Sequence, residues 1–203
     1  MKAASIPATI ATIFTSAALL SSCSLIDSDS KDPNSPDSAQ SDADSSESSD
    51  GNMQRAQEGR ISVELPEHWA ENPNFKPTLN GFTTSWANDL DDPTDIARMS
   101  SDQGQGPTAG ANMAYFETNA QFSTTHGTEF ELGESRDLDI ENADEAKLTT
   151  WTSNSSDGGT VRGAWIFVSG SDYGAAGLEI MALTLTDKEI EAMIDSVQFD
   201  PDA

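Results

Sequence analysis

Cysteine occurs once in the chain, at Cys23, and a thiol can serve as nucleophile, metal ligand, disulfide partner or attachment point. A catalytic thiolate needs a base or a helix terminus beside it in a folded pocket to lower its pKa. The flanking stretch LLSSCSL supplies neither. Metal chemistry fares no better: His68 and His126 stand far apart, with no HExxH spacing and no second cysteine to complete a zinc site. The run DLDDPTD, from Asp89 to Asp95, has the acidity of a calcium loop. However, Pro93 takes its fifth position, Thr94 stands at the sixth where glycine is needed, and Ser100 at the twelfth where a bidentate glutamate belongs. DLDIENADE, from Asp137 to Glu145, also lacks the ligand pattern. Both runs read as solvated acidic edges that oppose aggregation. Ser171, in VSGSDYG, lacks the G-x-S-x-G spacing and lies between two strand-like runs, where a nucleophile elbow needs a strand followed by a helix. His126, in THGTE, is expected in an exposed loop, and His68 beside Trp69 in a turn. Paired carboxylates for glycoside hydrolysis, about 5–10 Å apart, leave no mark in a sequence, and among 35 acidic residues a chance pair carries no weight. No catalytic residue, no metal and no cofactor is expected, and the chain reads as a non-enzyme.

Attachment is the use of Cys23 that its context favours. Lys2 gives a positive start, residues 6–20 form an apolar stretch rich in Ala, Ile and Thr, and small residues lead to the cysteine, the layout of an export signal. The apolar stretch is shorter and more polar than the ~20 residues that span a bilayer. Leu20, Ser21, Ser22 and Cys23 together resemble the lipobox of bacterial lipoproteins. That resemblance implies removal of residues 1–22 and a diacylglycerol on the Cys23 sulfur. Two acyl chains, at about 0.8 kcal/mol per buried CH₂, hold a protein stably on a membrane. The expected location is the outer face of the cytoplasmic membrane. With its one cysteine committed there, the exported domain has no internal disulfide and depends on its core.

Residues 23–59 are dominated by Ser and Asp, with hardly an aliphatic side chain after Ile26. Such a stretch buries too little apolar surface to offset about 1–2 kcal/mol per residue of backbone entropy. It is expected to be a disordered, lipid-anchored linker with a root-mean-square span of roughly 30–35 Å. Over the whole chain 35 acidic residues face 10 basic ones, a formal charge of -25. That balance repels phosphate backbones and excludes nucleic acid as a partner.

From residue 60 to 203 the pattern is that of one domain. RISVEL puts Ile61, Val63 and Leu65 on one face of a strand that Pro66 ends. GFTTSWA, DIARMS and RDLDI read as further strands, the last with Leu138 and Ile140 inward. AKLTTWTS, TVRGAWIFVS and AAGLEIMALTL, joined by the loops NSSDGG and GSDYG, form an antiparallel meander. The middle strand is apolar on both faces, so both must be covered. In TDKEIEAMIDSVQF, Thr186 and Glu189 make a capping box before Ile190, Met193, Ile194 and Val197 at helical spacing. GANMAYFETNAQFSTT fits a helix through Met113, Phe116 and Ala120, or a strand through Ala114 and Phe116; the helix is preferred. Trp69, Trp86, Trp151 and Trp165 are first of all core residues, with Trp86 and Trp151 the candidates to line an apolar or sugar-stacking groove.

The order of these features, LPEHW after the first strand, IENADEA before a later one, the glycine-looped meander and a last helix ending in IDSVQFDP, resembles the PsbP-like fold. Within it, the layout is similar to the actinobacterial envelope lipoproteins of the LpqN type. The resemblance covers residues 60–201. It implies an α+β domain, an antiparallel β-sheet with helices packed on both faces, and a binding or accessory role toward another envelope protein. A carrier or sensor of a small apolar or sugar ligand is the alternative.

Overall fold

The computed structural model describes residues 52–122, 126, 128–172 and 174–203. The stretch read as an export signal, the lipobox-like residues Leu20, Ser21, Ser22 and Cys23, and most of the stretch expected to be a linker lie outside the described residues. Ten strands and two helices follow one another: β1 (Met53–Glu58), β2 (Ile61–Pro66), β3 (Ala70–Glu71), β4 (Thr84–Ala87), β5 (Asp95–Ser100), α1 (Ala109–Phe122), β6 (Thr128–Asp137), β7 (Glu145–Asn154), β8 (Thr160–Ser169), β9 (Ala175–Ala182), α2 (Asp187–Asp195) and β10 (Gln198–Phe199). Seven of the strands form one sheet in the order β3-β4-β5-β9-β8-β7-β6, and β1-β2-β10 form a smaller one. The pairings are antiparallel.

The meander appears as β7-β8-β9, with Thr149 opposite Trp165 and Trp165 opposite Glu179. Residues 163–169 of β8 and all of β9 except Met181 are buried, because each face of the sheet is covered. On one face α2 and the small sheet bring Ile190, Met193, Ile194, Ile61, Val63, Leu65 and Phe199 against Leu148, Ile166, Leu178 and Ile180. On the other face α1 lays Ala109, Met113, Phe116 and Ala120 against Trp151, Trp165 and Phe167. The fold class is therefore the expected one, with the small sheet as an added layer.

Three local outcomes depart from the sequence pattern. Met53–Glu58 was expected in the linker, yet it is β1, paired along its whole length with β2. Gly59, at φ +48°, turns this hairpin where a Cβ would meet the Ser101 hydroxyl at 2.3 Å. The long strand before Leu138 is Thr128–Asp137, whereas Leu138 and Ile140 lie beyond its end, still packed on the core. His126 is buried, at 9% exposure, where an exposed loop residue was expected.

Half of helix α1 is good helix formers, four Ala with Met113, Glu117 and Gln121, and its start is capped largely by side chains: Thr108 Oγ1 accepts from the Ala111 N–H, Ser169 Oγ from Ala109 and Glu145 Oε2 from Gly110. Helix α2 carries the capping box read from sequence, with Thr186 Oγ1 accepting from the Glu189 N–H at 3.3 Å and Glu189 Oε2 accepting from the Thr186 N–H at 2.8 Å.

Candidate functional site

Chemistry-bearing side chains converge under α1. Glu179, in the apolar strand β9, is 1% exposed. Its Oε2 accepts from Arg98 Nη1 of β5 at 2.9 Å, and its Oε1 accepts from Trp165 Nε1 of β8 at 2.9 Å. His126 Nε2 lies 3.1 Å from the same Oε1; facing a carboxylate, that nitrogen carries the proton. Antiparallel register alone brings Arg98, Glu179 and Trp165 side by side on neighbouring strands. The fourth member comes from the connection between α1 and β6.

Burial pushes the Glu179 carboxyl up. The His126 hydrogen bond, the Arg98 charge, the Trp165 N–H and the charge of His126 together outweigh that effect and hold it below the ordinary glutamate range. The surroundings are aromatic: the His126 ring meets Trp151 edge-on at 5.0 Å and Trp165 at 5.3 Å, and Phe130 stacks on Trp165 at 5.9 Å. Gly163 lets this cluster close, because a Cβ there would lie 2.1 Å from the Trp151 ring. An acid, an imidazole and a guanidinium are thus together, but both carboxylate oxygens are taken by protein donors. This arrangement ties β5, β8, β9 and His126 of the α1–β6 connection into one unit.

Two grooves open on the surface of the domain. One, of about 340 Å³, runs between α1 and the β6–β7 edge, beside Met113, Glu117, Asp137 and Lys147. Its charges are engaged: Lys147 reaches Asp137 at 2.5 Å and Glu145 at 3.6 Å, and Glu117 accepts from Thr149 Oγ1 at 2.7 Å. The Asp137 hydrogen bond leads the effects that hold Lys147 above the ordinary lysine range. The other groove, of about 390 Å³, lies between the small sheet, the 139–142 segment and the end of α2, with Glu64, Asp139, Glu141 and Asp195 on its walls.

The residues singled out from sequence are dispersed. Trp151, 1% exposed, belongs to the α1 side, and Trp86 packs against the core on the α2 side, so the two stand on opposite faces of the sheet. His68 is exposed, and Ser171 sits in the turn between β8 and β9. Asp89 accepts from the backbone N–H of Asp91 and Asp92. Asp95 is buried, accepts from the backbone N–H of Leu183 and Thr184, and is also engaged by Asn88 and the Thr184 hydroxyl. Among the described residues no group of three or more His, Cys, Asp or Glu is arranged to hold a metal ion. No helix among them is long and apolar enough to cross a membrane. The Glu179 cluster itself was missed in the sequence, although a lone acid in GLEIMALTL, a run apolar on both faces, is its visible mark.

No protein-family model and no curated protein matches this chain. Among solved structures it is similar to cyanobacterial PsbP (CyanoP) from Synechocystis, with a TM-score of 0.52 and 10% identity, covering 73% of this chain and 92% of that one. The Ran-binding protein Mog1p of Saccharomyces cerevisiae overlaps at a TM-score of 0.44 and 10% identity, over 73% of this chain and 96% of that one. LpqN of Mycobacterium tuberculosis, involved in cell envelope biogenesis, overlaps at 0.38 and 15% identity, over 74% of this chain and 91% of that one. At these identities the likeness concerns architecture: the domain has the PsbP-like α+β fold.

Proposed function

We propose that this protein is a lipid-anchored, non-catalytic binding or accessory protein of a bacterial cell envelope, akin in layout to the LpqN-type lipoproteins. In this reading Cys23 carries diacylglycerol on the outer face of the cytoplasmic membrane, the Ser/Asp-rich linker gives reach, and the PsbP-like domain engages another envelope protein. The observation that carries it is Cys23 itself, the single cysteine, at the junction between an export-type apolar stretch and a serine-rich acidic run. The non-catalytic half is supported by the Glu179–His126 contact, whose groups are engaged with one another inside the aromatic cluster. A base that is to take a substrate proton must come within hydrogen-bond reach of it.

Fractionation tests the anchor. The wild-type chain is expected in the membrane fraction with a diacylglyceryl group at its mature amino terminus, and Cys23→Ser in the soluble fraction. Retention of Cys23→Ser on the membrane, or an unmodified cysteine by mass spectrometry, overturns the anchoring. Turnover of an envelope substrate by the soluble Cys23→Ser chain overturns the non-catalytic assignment.

A further inference from the structure

Helix α2 ends against its own electrostatics. The carboxyl end of a helix carries partial negative charge and favours a cation, yet the last turn of α2 holds no base and closes on Asp195. A cation comes instead from β1: Arg55 Nη1 donates to the Ser196 carbonyl and to Ser62 Oγ, both at 3.2 Å, and Nη2 donates to Glu64 Oε1 at 2.8 Å. Arg55, Glu64, Asp195 and Ser196 all line the groove of about 390 Å³. The chain itself thus shows what that groove takes, a guanidinium held by a carboxylate, a hydroxyl and a helix-end carbonyl. Arg55 serves one part of it. It is the one base on the lining, and the carboxylates of Asp139, Glu141 and Asp195, on the same lining and exposed, have no ion-pair or hydrogen-bond partner among the described residues. Three unmatched acids beside a helix carboxyl end, with Ile140, Val197 and Phe199 between them, complement an occupant whose cations stand on apolar stems.

The sheet edge sets the form of that occupant. The Asp200 N–H donates to the Arg60 carbonyl at 2.9 Å, and Phe199 stands opposite Ile61 one residue earlier. Bonded and non-bonded pairs alternate along an antiparallel ladder, so the Phe199 N–H and C=O point away from β2, toward the free edge of the last strand of the small sheet. Phe199 and Gln198 line the groove as well. A free strand edge takes an extended chain, whose side chains alternate in direction. Other occupants lack the charge or the shape: a second copy of this chain brings a formal charge of -25, residues 24–51 hold Lys31 as their one base, and among the described residues no three acids are arranged for a metal ion. Resting on the binding-protein reading above, the geometry points to this groove as the docking site for an extended segment of a partner protein with Lys or Arg at alternate positions, their side chains reaching Asp139, Glu141 and Asp195.

The test uses the full chain with Cys23→Ser in about 0.15 M sodium chloride, where a Debye length of about 8 Å mutes distant charges. Backbone amide shifts are followed with three probes: a short peptide alternating Arg and Thr, its Glu/Thr counterpart, and arginine amide. The Arg/Thr peptide is expected to bind at least about tenfold more tightly than either other probe, with shifts concentrated on residues 139–142 and 195–199. Asp139→Asn, Glu141→Gln and Asp195→Asn together are expected to weaken that binding about tenfold. Removing as many charges outside the groove, by Glu71→Gln, Asp92→Asn and Glu131→Gln, is expected to change it less than about twofold. Both sets of residues are exposed, so the fold is kept. Equal losses from the two sets, or shifts scattered over the acidic surface, overturn the proposal in favour of unspecific charge attraction. Arginine amide binding as tightly as the peptide overturns it in favour of a site for one small cation, and self-association that the groove substitutions abolish overturns it in favour of a second copy. An Arg/Thr peptide that does not bind overturns it outright. None of these readouts involves Cys23, so failure here leaves the fractionation result standing, and the reverse.

Discussion

Taking the Glu179 carboxylate out of water costs several kcal/mol unless donors replace the lost hydration, and three side chains from separate segments do so. Removing the charge leaves Arg98 facing an amide in a largely dry site. Breaking a buried ion pair costs roughly 3–5 kcal/mol, and since the Arg98 side chain retains 25% exposure, Glu179→Gln is expected near 3 kcal/mol, read from urea denaturation. The same residue sets a pH dependence. Its folded pKa lies below the ordinary glutamate value of 4.5, so its contribution is complete above that value and is lost as pH falls through the folded one. Wild-type stability should drop in that acid window with an extra slope that Glu179→Gln lacks. Equal slopes in the two proteins would show that the Glu179 carboxyl is not held below its ordinary range.

Close approach between elements is where one added carbon is most damaging. β7 and β8 meet at Trp151 and Gly163, which face one another in register, and the indole lies over the glycine. Gly163→Ala would force the ring or both strands to move, a strain of about 3 kcal/mol by analogy with overpacked cores. Thermal unfolding checks it, and a change under about 1 kcal/mol would mean the ring has room to shift. The elements themselves were legible unevenly, for physical reasons. The β7-β8-β9 meander and α2 follow from β-branched alternation, glycine loops and a capping box, all signals local in sequence. Helix α1 was ambiguous because Tyr115 and Phe122 add apolar residues on its outer side, blurring the stripe made by Met113, Phe116 and Ala120. Strand β6 left almost no alternation: it is an edge strand, exposed along most of its length, so neither face has to be apolar. β1 hides for a related reason, with Ala56 its only fully buried residue. The Glu179–His126 pairing joins residues 53 apart in sequence, one on a strand and the other in the connection before β6, a meeting that no local pattern encodes.

At the scale of the molecule, charge opposes folding. From residue 52 onward 27 acids face 8 bases, and the exposed ion pairs each contribute about 0–1 kcal/mol. A domain of this size has a radius of gyration near 15 Å. The Debye length is about 30 Å at 0.01 M salt and about 10 Å at 0.1 M. At low salt, then, each acid senses nearly all the others, and compaction brings them closer than in the unfolded chain. Adding sodium chloride screens that repulsion and also weakens exposed pairs such as Arg55–Glu64 and Arg162–Asp187, while Arg98–Glu179, buried at its acid, is screened much less. With so few bases the repulsion is the larger quantity. Between 10 mM and 0.5 M sodium chloride the Tm should therefore rise by about 3 °C or more, the shift that ~1 kcal/mol produces in a domain of this length. A flat or falling Tm would mean that local ion pairs outweigh the net repulsion. In that case the acidic surface would act as a paired network.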